Sequence, residues 1–297
     1  MRLDVRGIIP PMVTPFTSGN EELDEGAIRD DVEYLIQTGI RGLCAGGSTG
    51  EGEGLSEQEI HRLCRAVVEQ ARDRVPVIGG IIADSTAEAI RKSKAAKEAG
   101  VTALQVTPPH YLWTPDAETL VRYYQEIGDA MQLPVLIYNV VPWVNIDIRT
   151  VRRLVDVSWV AGIKQSGGDL HKVADLMHQY HDRLTVITAV DDLLYLSYCL
   201  GVDGAICCLN TVLPGPSVEM WNMMEAGDHA GAKALHDRIL PVWRSIEGPN
   251  MPYLAKVAIE LQGRKVGPAR SPMLAPSQEK RAEIRQRLVE AGIAVVG

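Results

Sequence analysis

The chain is 297 residues long, 46% hydrophobic, and carries a formal net charge of −8. That suffices for one large α/β domain or two ordinary ones, and the acidic balance argues against non-specific binding to nucleic acid or to anionic membranes. No apolar run approaches the roughly eighteen residues that span a bilayer. The N-terminal stretch MRLDVRGIIPPMVTPF lacks the apolar core of a signal peptide, so the expected location is the cytoplasm. Five Cys without a C-x-x-C spacing fit reduced, buried thiols in that compartment. Cys207 and Cys208, if they sit in a strand, point to opposite sides of it.

In chain order, short apolar runs recur at near-constant spacing. They are GIIPPMVTPF (7–16), GLCAGG (42–47), VPVIGGIIA (75–83), ALQVTPP (103–109), LPVLIYNV (133–140), WVAGIKQS (159–166), LTVITAV (184–190) and GAICCLN (204–210). Each is rich in β-branched residues and bounded by Gly, Pro or polar residues, the pattern of a buried strand. Between them lie amphipathic segments with helix signals. Ser56 with Glu59, and Ser85 with Glu88, have the spacing of capping boxes. Thr114 stands as an N-cap before Pro115, and Gly100 ends the segment that Ser85 opens.

Eight strands alternating with helices predict a right-handed (β/α)8 barrel, a TIM barrel of the α/β class. A doubly wound sheet is the alternative, but no G-x-G-x-x-G turn follows the first strand. The segment PSVEMWNMMEAGDHAGAKALHDRIL supplies the eighth helix, and two more helices are expected near 252–262 and 277–292. The predicted organisation is a barrel over 1–230 and a C-terminal helical appendage over 231–297 packed on it.

Active residues of such barrels sit at the C-terminal ends of strands. The second run ends in GGSTGEGEG, which offers the Ser48 and Thr49 hydroxyls and a glycine-rich turn whose N–H groups suit a carboxylate or phosphate. It lacks the G-K-[ST] ending of a nucleotide-binding P-loop. The fifth run brings Tyr138 to the mouth and the sixth brings Lys164. A buried ammonium loses its hydration at a cost of several kcal/mol, so a lysine there is paired, reaches water, or works as an amine. A deprotonated Lys attacks carbonyls, and a neighbouring phenol can move the protons. The alternation of strands places Tyr138 and Lys164 on adjacent strands. His178 and His181 lie three apart near one helix without a companion carboxylate pattern, so no metal site is expected. Asp191 and Asp192 after the seventh run read as helix caps or as a carboxylate pair.

With GSTGE, YN and GIK in this order and spacing, and with VTPPHY, LGVDGAI and GPARSPM around them, the chain resembles the dihydrodipicolinate synthase / N-acetylneuraminate lyase family over nearly its whole length. The resemblance implies that Lys164 forms a Schiff base with a 2-oxo acid such as pyruvate, that Tyr138 shuttles protons, and that Ser48 relays them. It implies that Thr49, with Gly47 and Gly50 in the same turn, holds the carboxylate, and that Ile206 lies beside the bound pyruvate unit. It also implies a homotetramer, a dimer of dimers, in which a P-x-Y-Y stretch reaches a neighbour's relay. Here that stretch reads PPHYL, and either His110 or Tyr111 fills the role. The imine serves as electron sink, so neither cofactor nor metal is expected.

One departure bears on the second substrate. The synthases of the family follow the Tyr-Asn pair with Pro and then an Arg for the distal carboxylate. Here the stretch reads YNVVPWVNID, with Trp143, expected to bind substrate, among the residues that stand in that place, and the nearest Arg is Arg149. The reading is therefore a Schiff-base lyase, aldolase or dehydratase acting on a 2-oxo acid. The alternatives are dihydrodipicolinate synthase itself and, in another class, a non-catalytic carboxylate-binding barrel. A binding barrel needs only the anion turn, so the presence of Lys164, Tyr138 and Ser48 together counts against it.

Overall fold

The computed structural model describes residues 2–19 and 21–296. Eight strands run β1 (Gly7–Ile8), β2 (Leu43–Ala45), β3 (Val77–Ile81), β4 (Ala103–Val106), β5 (Val135–Asn139), β6 (Val160–Gln165), β7 (Thr185–Thr188) and β8 (Gly204–Ala205). All pairings are parallel, in the order β1-β8-β7-β6-β5-β4-β3-β2. The first and last strands of that order meet through the bridge Pro11–Cys44, with Met12 N donating to Cys44 O at 2.8 Å. The expected (β/α)8 barrel is the fold. Its first strand is short because Pro10 and Pro11 carry no N–H for a ladder.

Alternation sorts the strand residues between two cores. Ile9, Cys44, Ile78, Leu136, Ile187 and Ile206 fill the barrel interior. The opposite faces join the inward stripes of the helices in a larger cluster. A fully buried Ile or Leu contributes about 1.5–3 kcal/mol here, so the aliphatic composition accounts for the stability of both layers.

The helices are α1 (Glu25–Gln37), α2 (Glu57–Ala71), α3 (Thr86–Glu98), α4 (Ala117–Met131), α5 (Ile148–Leu154) and α6 (Leu170–Tyr180). They continue as α7 (Leu194–Cys199), α8 (Cys208–Val212), α9 (Pro214–Glu225), α10 (His229–Ile246), α11 (Met251–Glu260) and α12 (Gln278–Glu290). Ser56 and Glu59 form the full capping box of α2. At α3 Ser85 accepts from Glu88 N, but the Glu88 carboxylate reaches back to Asp84 N at 3.4 Å instead of closing the box.

Three further sequence expectations need correction. The N-cap of α4 is Asp116, not Thr114, because a carboxylate accepts Thr119 N at 2.8 Å. The segment after β8 is two helices, not one: Gly227 adopts φ +77 and Asp228 caps α10 by accepting from Gly231 N. Cys207 and Cys208 do not share a strand. Cys207 is the extended residue before α8, and Cys208 opens that helix. Among the described residues, no helix is long and apolar enough to cross a membrane.

Candidate active site

Tyr138 and Lys164 are direct partners in the β5–β6 register. Both point inward one layer above Leu136 and Gly162, at the C-terminal end of the barrel. Gly162 makes room: a Cβ there would lie 2.5 Å from Thr185 O and 2.7 Å from Leu136 Cδ1. Lys164 is 4% and Tyr138 3% exposed, so the ammonium does not snorkel to water. Its Nζ lies 4.0 Å from the centre of the Tyr138 ring, a cation–π contact that partly replaces lost hydration. The Tyr138 hydroxyl donates to Ser48 Oγ at 3.0 Å. Three residues far apart in the chain thus form one contiguous set.

Ser48 stands on a single 3-10 turn, Ser48–Gly50, that follows β2. The turn fits only because glycines surround it. A Cβ on Gly80 would lie 2.6 Å from Gly47 N, one on Gly50 2.6 Å from Met12 O, and one on Gly52 1.8 Å from Gly46 O. Thr14 Oγ1 donates to Gly50 O at 2.5 Å and ties the turn to the segment after β1. Thr49 is buried in the turn, and Ile206 is fully buried in the barrel interior below the site.

A cleft of about 320 Å³ opens above the turn, walled by Ser48, Thr107, His110, Val140, Val141 and Met251, with Glu53, Ile82, Gly248, Pro249 and Pro252. Among its lining residues there is no Lys or Arg. Partial desolvation pushes the Glu53 carboxyl above the usual range, with the Glu51 charge adding to it. Of the PPHYL stretch, His110 lines the cleft, while Tyr111 is 69% exposed and does not. Asp84 Oδ1 accepts the backbone N–H of His110 at 2.7 Å and of Tyr111 at 2.8 Å. His110 Nδ1 faces two acceptors, Pro108 O at 3.1 Å and Asp84 Oδ1 at 3.2 Å. That assigns the ring hydrogen to Nδ1 and leaves Nε2 free for proton transfer.

Trp143, expected to bind substrate, is not part of the cleft wall. It is 65% exposed, and its Nε1 donates to His110 O at 2.8 Å, so it steadies the loop that carries His110. The valines before it, Val140 and Val141, line the cleft instead. Arg149 is 93% exposed and pairs with Asp147, away from the cleft.

One residue escaped the sequence reading, and another that it named has a different role. Gln105 is fully buried, and neither end of its amide meets a partner among the described residues; its Nε2 lies 3.7 Å from where a Cβ on Gly47 would stand. A Gln in the apolar run ALQVTPP was the available signal. Asp191 does not cap its own helix. Its buried carboxylate accepts Leu209 N at 2.6 Å, and burial pushes its pKa up to about 6 against the pull of that N–H. Among the described residues no group of three or more His, Cys, Asp or Glu is placed to hold a metal.

A closed parallel barrel with a buried Lys and Tyr and a half-buried Ser at its C-terminal rim has the architecture of an aldolase-type enzyme. The dihydrodipicolinate synthetase family profile matches residues 4–291. The chain belongs to that family, whose members are lyases. It is 36% identical over 281 residues to 4-hydroxy-tetrahydrodipicolinate synthase of Thermomicrobium roseum, covering 93% of this chain and 92% of that protein. It superposes with TM-score 0.92 and 29% identity on the chloride-inhibited dihydrodipicolinate synthase of Acinetobacter baumannii complexed with pyruvate, covering 98% of this chain and 100% of that one. The same TM-score, identity and coverage hold for YagE of E. coli K12, a prophage protein of the dihydrodipicolinic acid synthase family in complex with pyruvate.

Proposed function

We propose that the chain is a Schiff-base lyase, aldolase or dehydratase that binds pyruvate or another 2-oxo acid covalently through Lys164. The observation that carries this reading is the contiguous set Lys164, Tyr138 and Ser48, with a ring contact of 4.0 Å and a hydroxyl–hydroxyl bond of 3.0 Å. In the mechanism, the neutral Lys164 amine adds to the C2 carbonyl to give a carbinolamine. Tyr138 donates a proton to the departing hydroxyl, which leaves as water, and the protonated imine remains. That cation accepts the electron pair of a bond broken at the neighbouring carbon, or stabilises the enamine that attacks an aldehyde. Ser48 passes the proton between the phenol and the cleft, whose wall includes His110. The carboxylate of the 2-oxo acid is held at Thr49 and the backbone of Gly47 and Gly50, with Ile206 beneath the C3 group. No step requires a metal. The solved relatives that hold pyruvate support this choice of ligand.

The far end of the substrate is read from the cleft wall. Without Lys or Arg, and with Glu53 on the rim, the wall does not favour a distal carboxylate. An Arg–carboxylate fork contributes both energy and orientation, and no Arg lines this wall. We infer a substrate whose distal end is neutral, hydroxylated or aromatic. The names of the relatives at 30–36% identity favour a second reading, condensation of pyruvate with aspartate semialdehyde. Pyruvate consumption in the presence of aspartate semialdehyde and of a panel of neutral hydroxyaldehydes separates the two. The proposal expects faster turnover with a neutral aldehyde. Dihydrodipicolinate formation faster than any reaction of the neutral panel would promote the synthase.

We further propose that copies of the chain assemble in the cytoplasm as a homotetramer. Tyr111, Leu112, Trp113 and Trp143 expose apolar surface beside the cleft, and Leu112 holds φ +66 at the tip. Such a patch suits contact with a second copy.

A further inference from the structure

Lys256 of α11 is a charged side chain with 0% exposure, in the last quarter of the chain, far in sequence from the imine lysine. Its Nζ meets Glu51 Oε1 at 2.6 Å, donates to Pro268 O at 2.8 Å, and lies 4.5 Å from the centre of the Phe16 ring. Glu51 closes the Ser48–Gly50 turn. It is 3% exposed, holds the left-handed φ of +56, and its N–H donates to Ser48 O at 3.2 Å. A non-glycine residue in that conformation stays there only when its surroundings hold it. The Glu51 Oε2 accepts Arg270 N at 2.8 Å. The Arg270 side chain then continues to Gly54 O at 3.3 Å and Glu59 Oε1 at 2.5 Å, and its guanidinium lies 4.3 Å from the Phe16 ring centre. The two oxygens of the Glu51 carboxylate thus face the C-terminal segment: Oε2 accepts a hydrogen bond, and Oε1 has the Lys256 ion-pair contact alone. The first residues of α11, Met251 and Pro252, line the cleft itself.

A buried ion pair is a poor source of net stability, since desolvation of both charges offsets their attraction. Its geometric consequence is stronger: the carboxylate has a single place to stand, and Glu51 is one bond network away from Ser48. We propose that Lys256 is a positioning residue that sets the Ser48–Gly50 turn through Glu51, so that α11 is a working part of the active site. Without it, the turn that carries Ser48 and Thr49 samples other conformations, and the 2-oxo acid carboxylate loses its fixed donors. The inference about catalysis rests on the proposed imine chemistry; the inference about the turn does not.

The test compares wild type with Lys256→Met and with the double variant Glu51→Gln/Lys256→Met, which keeps both volumes and buries no unpaired charge. Two quantities are read: amide hydrogen exchange over residues 46–54, and the pyruvate concentration that gives half-maximal inactivation by borohydride. The expected result in the double variant is exchange in the turn faster by about tenfold or more, with β5 and β6 unchanged. The half-saturating pyruvate concentration rises roughly tenfold to a hundredfold, as displaced binding groups lose their alignment. The single variant shows the same changes if it folds. A lower melting temperature with both quantities unchanged makes Lys256 a structural residue only and overturns the proposal. If wild type itself takes no label on Lys164, the imine reading fails, and the exchange measurement alone decides whether Lys256 holds the turn.

Discussion

Lys164 and Tyr138 lie at a separation that serves two ends. The 4.0 Å contact between Nζ and ring face partly replaces the hydration that burial removes, and under the proposed mechanism it sets the phenol beside the carbon that the amine attacks. Tyr138→Phe keeps the ring and this contact but removes the hydroxyl that donates to Ser48 Oγ. General acid–base groups contribute about 10²–10⁴-fold. We expect kcat to fall within that range with the melting temperature nearly unchanged, measured as steady-state pyruvate turnover and thermal unfolding. A near-normal kcat would remove Tyr138 from the proton relay. The residues of this set were legible in the sequence because each ends a recognisable apolar run, and because GSTGE, YN and GIK stand in a specific order. Gln105 and the contact that Asp191 makes were not. One hides in a run that reads as strand whatever its polarity, and the other occupies a position where a cap is the common explanation. Only the fold shows that the Asp191 carboxylate serves Leu209 N across the barrel rim.

Strand positions were predicted well because a parallel barrel buries both faces of every strand, so the strands appear as continuous aliphatic runs. Where the expectation failed, local chemistry overrode the pattern. Asp116 outcompeted Thr114 as cap, Gly227 divided one amphipathic segment into two helices, and GAICCLN left the sheet after two residues to begin α8. The loop from Pro108 to Thr114 shows the opposite limit. Its conformation depends on Asp84 and Trp143, both remote in sequence, which hold the backbone of His110 from two sides. That bracing leaves Leu112 89% exposed and Trp113 48% exposed. The proposed assembly places this loop against a second copy. Light scattering is expected to give the mass of a tetramer, and Leu112→Asp with Trp113→Asp to give smaller species, because a charge in an apolar contact costs several kcal/mol. Wild type running as a fully active monomer would exclude any contribution of His110 or Tyr111 to a neighbour's site.

At the scale of the molecule, the barrel and the C-terminal helices meet at the candidate active site. The barrel supplies Lys164, Tyr138 and the glycine-rich turn, while α11 supplies part of the cleft wall and the counter-charge of Glu51. Ion pairs across such long sequence separations leave no local signature, so the Lys256–Glu51 pair was invisible in the sequence. The absence of Arg from the stretch after Tyr138 was visible, and the cleft wall agrees with it. The reading stands or falls on the nucleophile. Wild-type protein incubated with pyruvate and borohydride, then digested and mapped by mass spectrometry, tests it most directly. The account predicts one reduced pyruvyl adduct per chain, located on Lys164, and no adduct in Lys164→Ala. Label on Lys172 or Lys256 in place of Lys164, or no label at all, would contradict it.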